Sequence, residues 1–435
     1  MNSVEISKSR IQGTASISGS KSVANRALFI SMLTDGVSKI SNISSCDDSS
    51  LMINAATELG SKISKNKYGV VEISGILTKN SVLELAVDTE LFCSIAGTTS
   101  RFLTSLGLIS AKKITISGEG RLLERPMSDL CNALEDLGCE VGYFGKNGCV
   151  PFSIYRKNDP VSIVKISGKI SSQYISSLMM IAPVLLNGLK IIIKDELVSR
   201  SYVDLTASIM RDFGVIAEVG ESEINIPHAK YMSRDFAVAG DFSSASYFAS
   251  LPILLGSNLV IKNLDRSSNQ GDGGFFEILE KLGANINWID NGSVKIDFSM
   301  DKIPAININM ENMPDVSMTL AMILAFADGE SIITGLSTLK NKETDRLLAL
   351  KTEFEKIGIK SEIGDDFIKI YGNSNLKIEK LTKISTYHDH RIAMCFALIG
   401  AKCGNIEIEN PGVVKKSMPE FWDEMAKVGV VLEHL

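Results

Sequence analysis

The chain has 435 residues, more than a single hydrophobic core usually supports. Hydrophobic residues make up 45% of it and charged residues 22%, proportions that are typical of globular proteins and not of disordered ones. The net charge of −6 argues against a broad nucleic-acid-binding surface, because such surfaces normally carry a basic excess. We therefore expect two large domains and no nucleic-acid partner.

The apolar segments and the cysteines indicate the cellular compartment in which the protein works. The opening residues, MNSVE, lack the basic stretch and apolar run of a secretory signal. The most apolar segment, residues 178–193, is interrupted by a proline, an asparagine, a glycine and a lysine, which argues against a membrane span. Seven cysteines cannot all pair within one chain, and none form a C-x-x-C motif. We expect a cytoplasmic protein with free thiols and no contact with membranes.

A polar turn followed by an apolar stretch recurs six times along the chain. The turns lie at residues 20–22, 96–99, 171–173, 241–244, 314–317 and 389–391, and from the second onward they are about 71–75 residues apart. Ser, Thr and Asp are favourable helix N-caps, so each turn predicts the start of a helix. Because helix N-termini attract anions, several that point the same way predict a concentrated anion site. The alternative is that they are ordinary caps.

A second marker keeps the same period. Six glycines follow amphipathic segments and precede alternating, strand-like residues: Gly60, Gly138, Gly214, Gly283, Gly358 and Gly429. Each predicts the C-cap of a helix that leads into a strand. In the fifth unit we predict helices over 317–326 and 344–357, with a β-rich run at 331–336 between them. Alternating elements of this kind indicate an α/β protein built from two domains of three units each.

The first group of candidate site residues lies at the first polar turn. Lys21 and Ser22 are at a predicted helix start, and Arg26 lies one turn further along the same face. Apolar residues follow, so the two cations enter a core, where buried cations need anionic partners. The alternative is a solvated basic patch.

Four further groups of candidate residues carry cations next to turns. Arg121 and Arg125 follow two glycines in a turn that ends at a proline, a setting that suits rigid presentation of a guanidinium to a carboxylate or phosphate. Lys342 and Arg346 are predicted one turn apart at a helix start; the alternative is a set of surface salt bridges of little energetic value. Residues 387–394 begin another helix, and 415–419 contain two more lysines. The two histidines and the aspartate at 388–390 lack a third ligand group, so we do not expect a metal.

In chain order these segments resemble the signature motifs of the enolpyruvyl transferase family. The resemblance covers nearly the whole chain, through residues 19–26, 96–101, 125–127, 171–173, 240–247, 314–315, 342–346, 389–391 and 416–419. It implies the inside-out α/β barrel fold, with two domains of three βαβαββ units closing over a cleft that holds the active site. The domains would be residues 21–240 and residues 1–20 with 241–435.

The branch of the family that acts on shikimate 3-phosphate is the one that this chain resembles. That resemblance implies transfer of the enolpyruvyl group of phosphoenolpyruvate to the 5-hydroxyl of shikimate 3-phosphate, by addition and elimination, in chorismate and aromatic amino acid biosynthesis. Phosphate is released, and no metal or other cofactor is needed. We expect a monomer whose only partners are these small molecules.

The resemblance also implies the site residues. Those facing shikimate 3-phosphate would be Lys21, Ser22, Arg26, Ser171, Ser172, Gln173, Ser199, Tyr202, Asp315 and Lys342. Those facing phosphoenolpyruvate would be Lys21, Gly97, Arg125, Gln173, Arg346, Arg391 and Lys416. Asp315 is the candidate base and Glu343 the candidate acid, with Lys21 also catalytic, although the residues alone leave open which carboxylate moves which proton.

The sequence leaves two rival functions to consider, and it departs from the family pattern at two positions. The sister branch acts on UDP-N-acetylglucosamine and normally carries a reactive cysteine in the loop before its arginine, whereas residues 118–125 contain none. A non-catalytic anion-binding protein would be expected to lack Asp315 or Glu343, and both are present. Ile95 replaces a usually small or polar residue, and Ser100 a common methionine; backbone contacts at Gly97 are expected to survive both changes, whereas the side-chain contact from position 95 is left open.

Overall fold

A computed structural model describes residues 2–78 and 81–435. Contacts divide the chain into two units, which we call the N-unit (residues 20–238) and the C-unit (residues 1–19 and 239–435). Each unit has its own hydrophobic core. No helix in the described residues is long and apolar enough to span a membrane.

The N-unit has six helices and three four-stranded sheets. The helices are α1 (Lys21–Met32), α2 (Asp47–Glu58), α3 (Gly97–Thr104), α4 (Ser128–Asp136), α5 (Ser172–Ile181) and α6 (Ser201–Asp212). In spatial order, the first sheet contains Asp235–Ala237, Val37–Ser41, Val71–Ser74 and Ile63–Lys65. The second contains Thr89–Phe92, Ile114–Ser117, Phe152–Arg156 and Cys139–Tyr143, and the third contains Ile163–Ile166, Leu189–Ile193, Glu223–Ile226 and Glu218–Val219.

The C-unit repeats this arrangement. Its helices are α7 (Phe242–Leu255), α8 (Phe275–Lys281), α9 (Pro314–Leu324), α10 (Arg346–Lys356), α11 (His390–Cys403) and α12 (Phe421–Lys427). The sheets contain Thr14–Ser16, Asn258–Lys262, Val294–Asp297 and Asn285–Trp288; then Asn307–Asn309, Glu330–Thr334, Ile368–Tyr371 and Ser361–Ile363; then Thr382–Ile384, Ile406–Glu409, Ser3–Ser7 and Val431–His434. Ile303–Pro304 and Ala327–Asp328 form a small two-stranded sheet.

All six four-stranded sheets share one pairing pattern. In each sheet, one edge strand pairs in parallel with its neighbour, and the other two pairings are antiparallel. A shared pattern of this kind is the structural counterpart of the period in the sequence, because each sheet, with its two helices, is one repeat. The α/β class and the sixfold repeat are confirmed.

The predicted helix starts are confirmed at all six polar turns. They begin the odd-numbered helices, α1 to α11, and the three odd-numbered helices of each unit pack against one another. These inner helices are mostly buried: every residue of α7 from Phe242 to Leu254 is buried. Short 3₁₀ helices connect some of the elements, at residues 105–109, 120–124, 182–184, 271–274, 337–341 and 411–416.

The glycine marker is confirmed as well. All six glycines have positive φ, between +79° and +114°, and each lies two residues after the last residue of an even-numbered helix. Gly60, at φ +98°, shows why glycine is used, because a side chain is strained in this left-handed region even where space is open. In the fifth unit the bounds differ from those predicted. Helix α10 begins at Arg346, because Asp345 caps it by accepting a hydrogen bond from the Leu348 N–H.

Candidate active site

The inner helices of the N-unit begin without acidic residues. The first turns of α1, α3 and α5 contain none, and neither Ser20 nor Ala96 caps its helix through a side chain. Ser171 caps α5 by accepting a hydrogen bond from the Gln173 N–H at 3.3 Å. The partial positive charge at these helix ends is therefore not neutralised by a local carboxylate, a setting that attracts anions.

Arg26 is buried among neutral partners. It is 1% exposed; its Nε donates to Thr206 Oγ1 at 2.8 Å, and its Nη atoms donate to Ser22 O at 2.9 Å and Ser176 Oγ at 3.2 Å. The ring of Tyr202 lies 5.8 Å from the guanidinium carbon. No carboxylate among the described residues lies within 4.0 Å, so the expected anionic partner does not come from the protein. Burial lowers the pKa of Arg26 to about 10, which still leaves it charged at neutral pH.

Arg125 is the second buried cation of the N-unit. It is 7% exposed, and it forms no ion pair with the part of the chain that the structure describes. Its guanidinium lies against Gly97, the first residue of α3, where a Cβ atom would overlap it. Arg121, the other arginine of the same loop, is exposed and pairs with Glu124. The two arginines of this sequence group are thus separated, and only Arg125 joins the helix starts.

Lys21 differs from these arginines because it has a carboxylate partner. Its Nζ lies 3.2 Å from Asp48 Oδ2, and Asp48 is 2% exposed at the start of α2. Thr99 Oγ1 donates to Asp48 O at 3.2 Å, which ties this aspartate to α3. Sequence reasoning missed Asp48. The only signal was its place in the first turn of a helix, where acidic residues are common for electrostatic reasons alone.

Hydrogen bonds between α3 and α5 hold the remaining N-unit residues in place. Gln173 Oε1 accepts from Arg101 Nη1 at 2.6 Å, and its Nε2 donates to Thr98 Oγ1 at 3.1 Å. Ser100, one of the two departures from the family pattern, donates to Gly97 O at 3.1 Å. The other predicted residues occupy the same region: Ser172 is the first residue of α5, Ser199 has a left-handed backbone (φ +54°) before α6, and Tyr202 lies in the first turn of α6.

The inner helices of the C-unit differ in that each begins with an aspartate. Asp241 caps α7 and Asp389 caps α11, each by accepting a hydrogen bond from the backbone N–H two residues later. Asp315 lies in the first turn of α9. In this unit the positive helix ends are already matched by carboxylates.

Asp315 lies among three cations. Its carboxylate oxygens are 3.2 Å from Lys342 Nζ, 3.1 Å from Arg346 Nη1 and 3.2 Å from Arg391 Nη2. Burial by itself raises the pKa of Asp315, but the charges of Arg391, Lys342 and Arg346 outweigh that effect and hold the pKa well below its usual value. Asp315 is therefore ionised in the ligand-free protein.

Arg346 forms the centre of the same network. It is 1% exposed, and its nitrogens lie 2.7 Å from Asp389 Oδ2, 2.8 Å from Glu343 Oε2 and 3.1 Å from Asp315 Oδ1. Glu343 also accepts from Lys416 Nζ at 2.5 Å. These are buried ion pairs, so the interpretation of 342–346 as surface salt bridges is wrong.

Lys342 reaches this network from outside the helix. Its backbone is extended (φ −84°, ψ −153°), so the prediction that it lies one helical turn from Arg346 is wrong. Asp345 caps α10, so the helix begins at Arg346 and Lys342 lies before it. Both Lys342 and Arg346 nevertheless reach the carboxylate of Asp315. Burial lowers the pKa of Lys342. No group of three metal-ligating side chains occurs in the described residues.

We expect Asp315→Asn to lower the free energy of unfolding by about 3 kcal/mol near pH 7, because it leaves buried cations without their partner. The folded pKa of Asp315 lies below the unfolded value, so its contribution is present above about pH 4 and is lost as the pH falls through the folded pKa. Urea unfolding of both proteins at several pH values measures this. A difference between them that is the same at pH 7 and well below pH 4 would contradict the ion-pair explanation.

Comparisons with known proteins bear directly on this geometry. Residues 6–425 match the family model of EPSP synthase (3-phosphoshikimate 1-carboxyvinyltransferase). The 3-phosphoshikimate 1-carboxyvinyltransferase of Haemophilus influenzae (strain PittGG) is 36% identical over 428 residues, and the match covers 97% of each chain. The chloroplastic enzyme of Petunia hybrida is 37% identical, with 95% of this chain and 82% of that protein covered.

A solved structure agrees in fold. EPSP synthase from Acinetobacter baumannii superposes with a TM-score of 0.79 at 22% identity, and the match covers 100% of this chain and 99% of that one. The family model and the relatives confirm the resemblance noted from the sequence motifs. The chain belongs to the EPSP synthase family.

Proposed function

We propose that this protein transfers the enolpyruvyl group of phosphoenolpyruvate to the 5-hydroxyl of shikimate 3-phosphate and releases inorganic phosphate. Membership of the EPSP synthase family along nearly the whole chain supports the reaction. The observation that carries it is the pair of buried arginines in the N-unit, Arg26 and Arg125, which have no carboxylate partner among the described residues. A buried cation without an anionic partner is costly, so the binding of an anion next to these arginines is favoured.

The reaction explains why so many cations are required. Its two substrates bring two phosphates and two carboxylates together, and two unit charges 4 Å apart repel by roughly 4 kcal/mol at an effective dielectric constant near 20. Guanidinium groups suit these anions because they donate paired hydrogen bonds in a fixed geometry. The cations of both units therefore serve one purpose, which is to hold mutually repelling anions close enough to react.

The proposed binding residues divide between the substrates as in the family motifs. Shikimate 3-phosphate would contact Lys21, Ser22, Arg26, Ser171, Ser172, Gln173, Ser199, Tyr202, Asp315 and Lys342. Phosphoenolpyruvate would contact Lys21, Gly97, Arg125, Gln173, Arg346, Arg391 and Lys416. Both sets draw on both units, so we propose that the two units, as domains bounded near residues 20 and 240, act on one pair of substrates.

The acid–base chemistry follows from the carboxylates of the C-unit. The 5-hydroxyl attacks C2 of phosphoenolpyruvate while C3 takes a proton, and the tetrahedral intermediate then loses phosphate together with a proton from C3, which restores the double bond. Asp315 would accept the hydroxyl proton and Glu343 would supply the proton to C3, with Lys21 stabilising charge at the reacting phosphate. In the ligand-free protein Asp315 is a weak base, because three cations hold it ionised. When substrate anions share those cations, the pKa of Asp315 rises and it becomes a better base.

We further infer that the protein works as a monomer in the cytoplasm. Its seven cysteines are all free and six of them are buried, an arrangement that suits a reducing compartment.

Phosphate release from phosphoenolpyruvate, measured with each acceptor in turn, tests the proposed reaction. Release is expected with shikimate 3-phosphate and not with UDP-N-acetylglucosamine. Release with the nucleotide sugar alone would assign the sister activity. Release with neither acceptor would leave an anion-binding protein, and both outcomes would contradict the proposal.

The role of Asp315 has its own test. Asp315→Asn keeps the shape of the side chain but cannot accept the hydroxyl proton, so kcat should fall by about 10²–10⁴-fold while shikimate 3-phosphate still binds within about tenfold of its wild-type affinity. Steady-state kinetics and calorimetric titration measure the two quantities. Asp328→Asn, a change at an exposed aspartate of the same unit that pairs with Lys302, is the control and should leave both unchanged. Near-normal turnover in Asp315→Asn would remove Asp315 as the base.

A further inference from the structure

One buried carboxyl group next to the C-unit network is used neither as a substrate ligand nor as a helix cap. Asp272 lies in the short turn Gly271–Gly274 and is 5% exposed. Ser243 Oγ donates a hydrogen bond to its Oδ2, whereas Oδ1 is buried and has no hydrogen-bond partner. Within residues 2–78 and 81–435, no lysine, arginine or histidine nitrogen lies within 4.0 Å of either oxygen.

Such surroundings fit a neutral carboxylic acid. An ionised carboxylate in this position would be buried with one donor and no cation, which is costly, whereas a proton on Oδ1 removes the need for a second donor. Burial and, to a smaller extent, the charge of Asp315 raise the pKa of Asp272 to about 7, against the opposing effects of Arg391 and the Ser243 hydrogen bond. These two residues, with Asp241 at the start of α7, are the charged groups that act on it from α7, α9 and α11.

We propose that Asp272 is a positioning residue that holds a proton below neutral pH, loses it as the pH rises through neutrality, and while protonated keeps the charge of Arg391 directed towards Asp315 and the phosphoenolpyruvate site. The inference rests on the proposed function, because it assumes that Arg391 binds phosphoenolpyruvate. Arg391 donates to Tyr247 Oη at 3.3 Å and to Asp315 O at 3.1 Å, and it pairs with the Asp315 carboxylate. If Asp272 ionises, it adds a negative charge that competes with phosphoenolpyruvate for Arg391 and repels phosphoenolpyruvate directly.

Asp272→Asn imitates the protonated form of Asp272 at every pH, because asparagine has nearly the same shape and cannot ionise. Comparing it with the wild type therefore shows the effect of the ionised form. The first measurement is the melting temperature of wild type and variant between about pH 4 and pH 8.5. The folded pKa of Asp272 lies above the unfolded value, so its stability contribution is present below about pH 4 and is lost as the pH rises through about 7. The melting temperature of Asp272→Asn relative to wild type should therefore rise from about pH 4 to pH 7 and then level off.

The second measurement is the KM for phosphoenolpyruvate at saturating shikimate 3-phosphate over the range from about pH 6 to pH 8.5. Ionisation of the substrates affects both enzymes alike, so the ratio of the wild-type KM to that of Asp272→Asn isolates the residue. We expect this ratio to increase on the order of tenfold through pH 7, the effect of one charge at roughly 10 Å in a partly polar medium. The ratio of kcat values should stay nearly constant, because Asp272 does not touch the reacting atoms.

Each outcome decides one step. A melting difference that does not depend on pH would show that Asp272 holds no proton, and a flat KM ratio would show that its proton does not matter to Arg391; either overturns the proposal. If wild type shows no reaction with shikimate 3-phosphate, the proposed function is wrong, but the melting comparison still tests the proton. If Asp272→Asn does not fold, Ser243→Ala replaces it: loss of the hydrogen bond raises the pKa of Asp272, so the increase in KM should move to higher pH, and an unmoved profile would refute the proposal.

Discussion

Burying a positive charge is costly unless a partner compensates it, and the two units of this protein meet that constraint in different ways. In the C-unit, aspartates at the starts of the inner helices lie among Lys342, Arg346 and Arg391 and compensate them within the chain. In the N-unit, Arg26 is surrounded by hydroxyls, carbonyls and rings, and Arg125 lies against Gly97 with no ion pair to the described residues. The N-unit arginines thus suit an external anion, whereas the C-unit combines cations with carboxylates that can take part in proton transfer.

The repeat makes this division possible. Six units of one design supply six inner helix starts, three in each half of the chain. Because the backbone N–H groups at a helix start are fixed by the fold, the residue at the cap decides whether the site attracts an anion or already contains one. Serine or alanine at the caps of the N-unit helices, and aspartate at the cap or in the first turn of the C-unit helices, give one architecture two electrostatic characters.

Much of the fold could be predicted from the sequence, because its signals are local. Caps at the polar turns and glycines such as Gly60 act within a few residues, and they marked the helix ends without any knowledge of tertiary contacts. The site was harder to predict where contacts join distant segments. Asp48 reaches Lys21 from another helix, and Asp272 reaches Ser243 from a turn 29 residues away. Lys342 was wrongly predicted to lie in the helix, because Asp345, three residues later, caps the helix and fixes its first residue. Local periodicity does not show whether a helix begins at such a cap or before it.

The division of labour between the units is tested most directly by calorimetric titration of shikimate 3-phosphate into Arg26→Met and Arg391→Met. Both changes remove one buried guanidinium and leave an apolar side chain of similar length. The account predicts that Arg26→Met loses most of its affinity for shikimate 3-phosphate, while Arg391→Met binds it nearly as well as the wild type. Equal losses of affinity in the two variants, or a loss confined to Arg391→Met, would contradict the account.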